Sequence, residues 1–377
     1  MKKNKIYFPN LNGLRFIAAF LVLIHHVEQL KAVFNMDNYW ETSDFIKIVG
    51  KLGVILFFVL SGFLITYLLV AEQHTFKKIS IRKFYMRRVL RIWPLYFLIV
   101  ALAFFILPNV DMFNLPNENL LEEDFSLKIL LYIVLLPNLV LSIYGAIPFA
   151  SHLWSIGTEE QFYIIWPLIM RYIKRNQLVL MCSVVVIYLL VKLLLYPSVS
   201  GNMPYHNALM GFWHTFPVSC MAIGGFFAIL LFQQHRFLKY FLRNDLFYFS
   251  IVFTTTLMLL GVRIPFIHYE FYAFFYGIII LNFSANTTIK ISLENKVFNY
   301  LGNISYGLYM YHPIAITASL YILNTFNLAT DGLIYALSIA ITIVVSGLSY
   351  RYFETYFLRF KSKFSKIQSG IKVKNEA

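Results

Sequence analysis

Charge is scarce in this chain. Only 13% of its 377 residues are Asp, Glu, Lys or Arg, where an average soluble domain carries about 25%. So few charges could not cover a water-soluble protein of this length, which excludes a string of soluble domains. Cysteine is nearly missing. Cys182 and Cys220 are the only two, and both lie in apolar runs, which excludes a disulfide scaffold and suits small core residues without a redox role. Glycine and proline, 17 and 12 in number, are too few for collagen, and the same composition excludes disorder and coiled coil. There is no H-x-x-x-H ligand pair, no GxxxxGK phosphate loop and no G-x-S-x-G elbow, so nothing points to a bound metal or a nucleotide-binding loop. What is present in excess is apolar: 59% hydrophobic residues and a mean hydropathy of +0.67. The composition predicts an all-α polytopic membrane protein, surrounded by the lipid bilayer.

The net charge of +14 would suit nucleic acid in a soluble chain. In a membrane protein Lys and Arg collect on the cytoplasmic side, so no nucleic-acid partner is expected. A crossing helix needs about 20 apolar residues. Eleven segments qualify, at roughly 14–33, 50–70, 93–107, 127–143, 160–174, 177–196, 211–232, 246–262, 269–283, 304–324 and 332–352. The first is too long for a signal peptide, and His25-His26-Val27-Glu28 stands where small residues would mark cleavage. Lys2, Lys3 and Lys5, the basic 71–92 loop, and the basic tail place those segments in the cytoplasm. The 108–125 loop, with Asp111, Glu118, Glu122, Glu123 and Asp124 and no basic residue, lies outside. Arg171, Lys174 and Arg175 again read as cytoplasmic. Only an odd number of crossings connects that outer loop to Arg171, yet 127–143 and 160–174 both intervene. One of them must fail to cross, or the two must share one crossing. About ten transmembrane helices with both termini cytoplasmic result, forming a single integral-membrane domain over 1–377 that ends in a short basic tail, 354–377. The location expected is a plasma (inner) membrane, crossed many times.

Ionisable residues inside a membrane are costly and are candidates for function. The first span begins with Arg15 and reaches His26 eleven residues later. At 100° per residue these two fall about 20° apart on one face and about 16 Å apart along the axis, while His25 points about 80° away from Arg15. Arg88 and Arg91 form an i, i+3 pair on one helical face, a geometry able to clamp a phosphate at the cytoplasmic mouth. Thr158-x-x-Gln161 has the form of a capping box, which predicts a helix start there, with Glu159 and Glu160 in its first turn and His152 and Trp154 nearby. His312, before Pro313, reads as a packed or backbone-bonded histidine, and Ser61-Gly62 as close helix packing.

Taken together, FPNLNGLRFIAAFLVLIHH, GVILFFVLSGFLI, RRVLRIWPLYF, HLWSIGTEEQFYIIWPL and LGNISYGLYMYHPI resemble membrane acyltransferase family 3, integral-membrane enzymes that O-acetylate surface glycans, Nod factors and some antibiotics. The resemblance covers nearly the whole chain and implies an O-acyltransferase drawing on acetyl-CoA, with a glycan or glycolipid acceptor. It implies roles residue by residue: Arg15 and His26 essential, Arg88 and Arg91 linked to the CoA donor, and Trp154, Ser155, Glu159 and Glu160 forming a W-S-x-x-x-E-E motif. The expectation is that His26 and Glu160 are catalytic, Arg15, Arg88 and Arg91 hold acyl-CoA, and Trp154, Ser155 and Glu159 contact the acceptor. Asn12 stands where Asp is common in the family, and Ile55 where Asp often follows Gly-Val. The SGNH domain of longer members has no counterpart here, so the membrane part is expected to complete transfer alone or with a separate protein. The alternatives are a transporter or flippase, or a non-catalytic component of a polysaccharide-synthesis complex.

Overall fold

A computed structural model describes residues 5–115, 123–196, 205–365 and 367–369. Of the charges weighed above, Lys2, Lys3, Glu118, Glu122, Lys366, Lys372 and Lys374 lie outside the described residues. Seven helices make up the first half: α1 (Leu11–Val33), α2 (Asp44–Phe76), α3 (Ile81–Ala101), α4 (Phe125–Ile133), α5 (Pro137–Tyr144), α6 (Trp154–Tyr172) and α7 (Gln177–Leu194). The second half adds α8 (His206–His214), α9 (Val218–Phe232), α10 (Leu238–Phe241), α11 (Asn244–Leu259) and α12 (His268–Ala285). It closes with α13 (Lys296–Asn303), α14 (Ser305–Thr325), α15 (Asp331–Ser349) and α16 (Thr355–Lys361).

The centre of the bundle is α2. Its 33 residues give about 50 Å of helix, longer than the ~30 Å apolar layer of a bilayer. Ser43 starts it, its hydroxyl accepting from the Ile46 amide at 3.4 Å. Two glycines let α9 press against it backbone to backbone. A Cβ at Gly62 would fall 1.9 Å from the Met221 carbonyl oxygen, and one at Gly224 would fall 2.1 Å from that of Val59. Membrane helices gain little from burying apolar surface against one another, so such close approach is how they gain van der Waals contact. The close-packing role expected at Ser61-Gly62 falls on Gly62. The other side of α2 receives α1, which also lies along α14.

Six segments are long and apolar enough to cross a membrane: Leu11–Val33, Asp44–Phe76, Ile81–Asn109, Gln177–Leu194, His206–Phe232 and Asp331–Phe364. Three more helices, α6, α12 and α14, have 19, 18 and 21 residues but are more polar. Their polar groups point inward: Glu160, Glu270 and His312 are 4%, 5% and 1% exposed.

The expected segment 127–143 is broken. It forms α4 and α5, of 9 and 8 residues, with Leu135 between them in the left-handed region at φ 64°. Pieces about 12–14 Å long are too short to span ~30 Å of hydrocarbon. The expected helix start at Thr158 is also corrected: α6 begins at Trp154. The Thr158 hydroxyl donates to the carbonyls of Trp154 and Thr215, at 3.1 and 2.5 Å. Gln161 bonds to Leu135 and Asn138 instead of reaching back along its own helix. The box pattern therefore serves to join helices, and the glutamates sit in the second turn.

The two ends of the chain meet. Lys5–Ile6 and Gln368–Ser369 pair as parallel strands at the Arg15 end of the bundle.

Candidate active site

The start of α1 is pinned by its own sequence. Asn10 takes a left-handed conformation, φ 67°, which asparagine tolerates better than most residues. Its side chain accepts from the Leu293 amide at 2.7 Å and donates to the Phe283 carbonyl at 3.1 Å. Glu294 accepts from the Asn10 amide at 2.6 Å and from the Tyr7 hydroxyl at 2.5 Å. A Cβ on Gly302 would lie 2.2 Å from the Asn12 carbonyl oxygen, so α13 packs hard against this turn. The result is a fixed position for Arg15, whose guanidinium donates to the Asn12 side-chain oxygen at 2.9 Å. A neutral amide thus holds a cation without neutralising it.

Helix α3 brings Arg88 and Arg91 into electrostatic range of Arg15. The Arg88 guanidinium lies over the rings of Tyr163 and Phe84, 5.3 and 5.7 Å from their centres, and its buried Nε has no hydrogen-bond partner. Glu159 and Glu160 are close by on α6 but are engaged elsewhere. Glu159 accepts from the Tyr163 hydroxyl at 2.9 Å, and Tyr163 also bonds Ser61. Glu160 accepts from the Trp93 indole at 2.8 Å, leaving its buried second oxygen without a partner. Among the described residues no carboxylate lies within 4 Å of Arg15, Arg88 or Arg91. A fourth cation joins them from the end of the chain. Lys361, on α16, is in electrostatic range of Arg15, Arg87, Arg88 and Arg91, and Arg87 donates to the Phe364 carbonyl at 2.8 Å. Cations held in one place outnumber the carboxylates in range, Glu159, Glu160 and Glu354, none of which pairs directly with Arg15, Arg88 or Arg91 among the described residues, and such an excess suits an anion.

At the other end of α1 lies an open cavity of about 600 Å³, within the range of small-molecule sites. His25, His26, His152, Trp40, Trp154 and Tyr309 line its inner part. His26 Nδ1 is 2.8 Å from the Val22 carbonyl oxygen. That contact requires a proton on Nδ1 and leaves Nε2 as the basic nitrogen. The ring of His26 stands 4.7 Å from that of His312, which in turn stands 5.2 Å from that of His152. His312 Nδ1 is fixed the same way, 2.7 Å from the Tyr309 carbonyl oxygen, and its buried Nε2 has no partner. Tyr309 ties the group together. Its hydroxyl donates to the His152 carbonyl at 2.7 Å, so Ser155, 2.7 Å away, is the donor in the second contact. Among the described residues no three His, Cys, Asp or Glu side chains converge in a metal-holding arrangement.

The structure thus sorts the expected residues into two groups. Arg15, Arg88, Arg91, Glu159 and Glu160 gather at one end. His26 and Trp154 line the cavity, and Ser155 stands behind it, bonded to the lining Tyr309. Glu160 does not line that cavity, and it lies about 9 Å further along α6 than Trp154. His25 behaves differently from His26. It is 8% exposed, its Nδ1 is 2.7 Å from the Ile46 carbonyl oxygen, and it fills the notch left by Gly50. Sequence reasoning set His312 aside and did not single out Tyr309. The available signal was their shared motif, Tyr309-Met310-Tyr311-His312-Pro313, which puts a polar face inside an otherwise apolar span.

The acyltransferase domain family Acyl_transf_3 matches residues 8–351. O-acetyltransferase OatA of Staphylococcus aureus, in strains NCTC 8325 / PS 47, COL and MRSA252, is 25% identical over 372 residues. That alignment covers 93% of this chain and 57% of OatA, so the chain spans little more than half the length of the relatives it matches. No solved structure matches.

Proposed function

Because the chain belongs to this acyltransferase family, we propose that it is an O-acyltransferase of the plasma membrane moving an acetyl group from cytoplasmic acetyl-CoA to a glycan hydroxyl. Ten crossings with both termini cytoplasmic fit the helices. The six long apolar segments, the inward-polar α6, α12 and α14, and the shorter α11 supply ten, an even number that suits the pairing of Lys5–Ile6 with Gln368–Ser369. In this orientation the cations at the Arg15 end face the cytoplasm.

The observation that carries the reading is the arrangement along α1. Helix α1 carries Arg15 into a cluster with Arg88, Arg91 and Lys361 at one end and, about 16 Å away on the same face, presents a histidine whose basic nitrogen is left free. Arg15, Arg88 and Arg91, with Lys361, hold the phosphates of CoA. The guanidinium pair on α3 suits bidentate contacts, and the pantetheine arm runs along α1 toward the cavity. The acceptor enters the cavity from the other side. Its hydroxyl oxygen attacks the thioester carbonyl carbon while His26 Nε2 takes the hydroxyl proton. The C–O bond forms, the C–S bond breaks, and the proton passes from His26 to the departing thiolate, giving the ester and free CoA. Positioned proton transfer of this kind contributes about 10²–10⁴ in rate. Trp154 supplies a ring face for the sugar, and Ser155 and Tyr309 hold His152 and α14 in register. Glu159 and Glu160 act at the donor end, where they fix Tyr163 and Trp93 beside Arg88.

The test is acetyl transfer by the purified protein in lipid nanodiscs, read as thiol release from acetyl-CoA in the presence of surface glycan from deletion cells. Mass spectrometry of surface glycan from deletion and parent cells gives the acceptor. Absence of both thiol release and an acyl-sized mass difference would sink the proposal, and glycan movement without thiol release would favour a transporter.

A further inference from the structure

The cavity that holds His26 contains an imbalance the transfer reaction does not require. Lys47, Lys51, Lys192 and Arg263 all line it, and among the described residues no Asp or Glu does. Two of the four are partly offset. Lys47 lies 3.5 Å from exposed Asp44, and Lys192 lies 3.7 Å from Glu270 and donates to the Phe266 carbonyl. Lys51 and Arg263 have no carboxylate within 4 Å among the described residues. Lys51 and Arg263 are exposed at the rim, and the Lys51 ammonium rests 5.8 Å from the centre of the Tyr269 ring, which also lines the cavity. Topology does not account for these residues. Basic side chains that fix orientation belong at the cytoplasmic end, and these four stand at the opposite one. They come from α2, from the end of α7 and from the segment between α11 and α12, so packing brings them together from three parts of the chain.

We propose that the acceptor carries an oxyanion, a carboxylate or a phosphate, and that Lys51 and Arg263 bind it at the mouth of the cavity while Trp40 and Trp154 contact the sugar rings within. This rests on the acyltransferase reading, because it names the chemical class of that reaction's acceptor. An oxyanion anchored at the rim positions a neighbouring hydroxyl over His26, and a neutral glycan lacks that anchor. The anion has two possible sources: an acidic sugar of the glycan itself, or the phosphate of a prenyl carrier.

The experiment reads binding with no acetyl donor present, so failure of transfer and failure of anion recognition show separately. The full chain in phosphatidylcholine nanodiscs is titrated, by tryptophan fluorescence, with trigalacturonic acid and its carboxyl-reduced neutral counterpart. A second pair is farnesyl phosphate and farnesol. The expected result is that at least one anionic probe binds about tenfold or more tightly than its neutral partner, with a preference that weakens as salt rises. It should collapse in Lys51→Gln/Arg263→Gln, whose folding is checked by gel filtration and unfolding temperature. Preference in the first pair assigns the anion to the sugar, and preference in the second assigns it to the carrier. Equal affinity within both pairs, or a preference that survives the double substitution, overturns the proposal.

Discussion

Replacing His25 and His26 in turn should separate structure from chemistry at adjacent positions. The His26 ring bonds only a carbonyl of its own helix, at 2.8 Å, so His26→Ala removes little that holds helices together. Stability should change by no more than about 1 kcal/mol. If Nε2 is the base, transfer should fall by about 10²–10⁴, or about 3–5 kcal/mol of barrier at 1.36 kcal/mol per tenfold. His25 predicts the reverse. Its ring joins α1 to the Ile46 carbonyl of α2 at 2.7 Å and occupies the space over Gly50. His25→Ala forfeits an interhelix hydrogen bond worth about 1 kcal/mol and opens a void, for a combined loss of about 2–4 kcal/mol. Transfer per folded molecule should stay within about tenfold of the parent. Both variants are assayed in one detergent, with thermal unfolding and acetyl transfer measured on the same preparations. An inactive but fully stable His25→Ala beside an active His26→Ala would refute the assignment and the helical face on which it rests.

Arg88→Ala/Arg91→Ala should weaken acetyl-CoA binding at least tenfold while the protein still inserts, and Lys at both positions should restore only part of it, because an ammonium lacks the planar fork; isothermal titration decides, and unchanged affinity would leave these residues as topological anchors. Glu160→Gln keeps an acceptor for Trp93 and removes only the charge, so a turnover loss of about tenfold or more at unaltered stability would mark the charge as functional, whereas full turnover would retire it as a site residue. Tyr309→Phe removes the hydroxyl shared by Ser155 and the His152 carbonyl and keeps the backbone carbonyl that holds His312; unfolding should show a loss of about 1–3 kcal/mol, and transfer should fall because the His152–Ser155 turn loses its tether to α14. A Tyr309→Phe protein with unchanged stability and rate would show that the tether does not order the site.

Relations held within one helix were legible in the sequence. Arg15 and His26 share α1, and the arithmetic of 3.6 residues per turn sufficed to put them on one face and to turn His25 aside. The Arg88 and Arg91 pair was readable for the same reason. Hydropathy also found the long spans, because lipid demands a continuous apolar run. It misjudged 127–143, where apolar content is unbroken but Leu135 turns left-handed and divides the run in two. Composition sums are blind to a single backbone angle. The Thr158-x-x-Gln161 pattern misled in the opposite way: side chains able to cap a helix are equally able to bond a neighbour, and here Thr215, Leu135 and Asn138 were the neighbours.

What no local pattern could supply is the meeting of residues from distant helices. His312 alone is a histidine with a backbone partner, as its sequence suggested, and Tyr309 alone is an aromatic in a span. Only the packing of α14 against α1, with the 3₁₀ turn Ser151–Leu153 and the start of α6, makes them neighbours of His26. The same holds for the two cationic groups. Lys361 sits in a stretch that read as a simple basic tail, and it becomes part of the Arg15 cluster because the paired chain ends fold it back. Lys51 and Arg263, more than two hundred residues apart in sequence, become one rim because α2 and α12 pack together. In each case the residue type is ordinary and the lack of a direct ion pair among the described residues is the signal. An absence of counter-charge is a property of a place in the fold, so it emerges only when every side chain around that place is known.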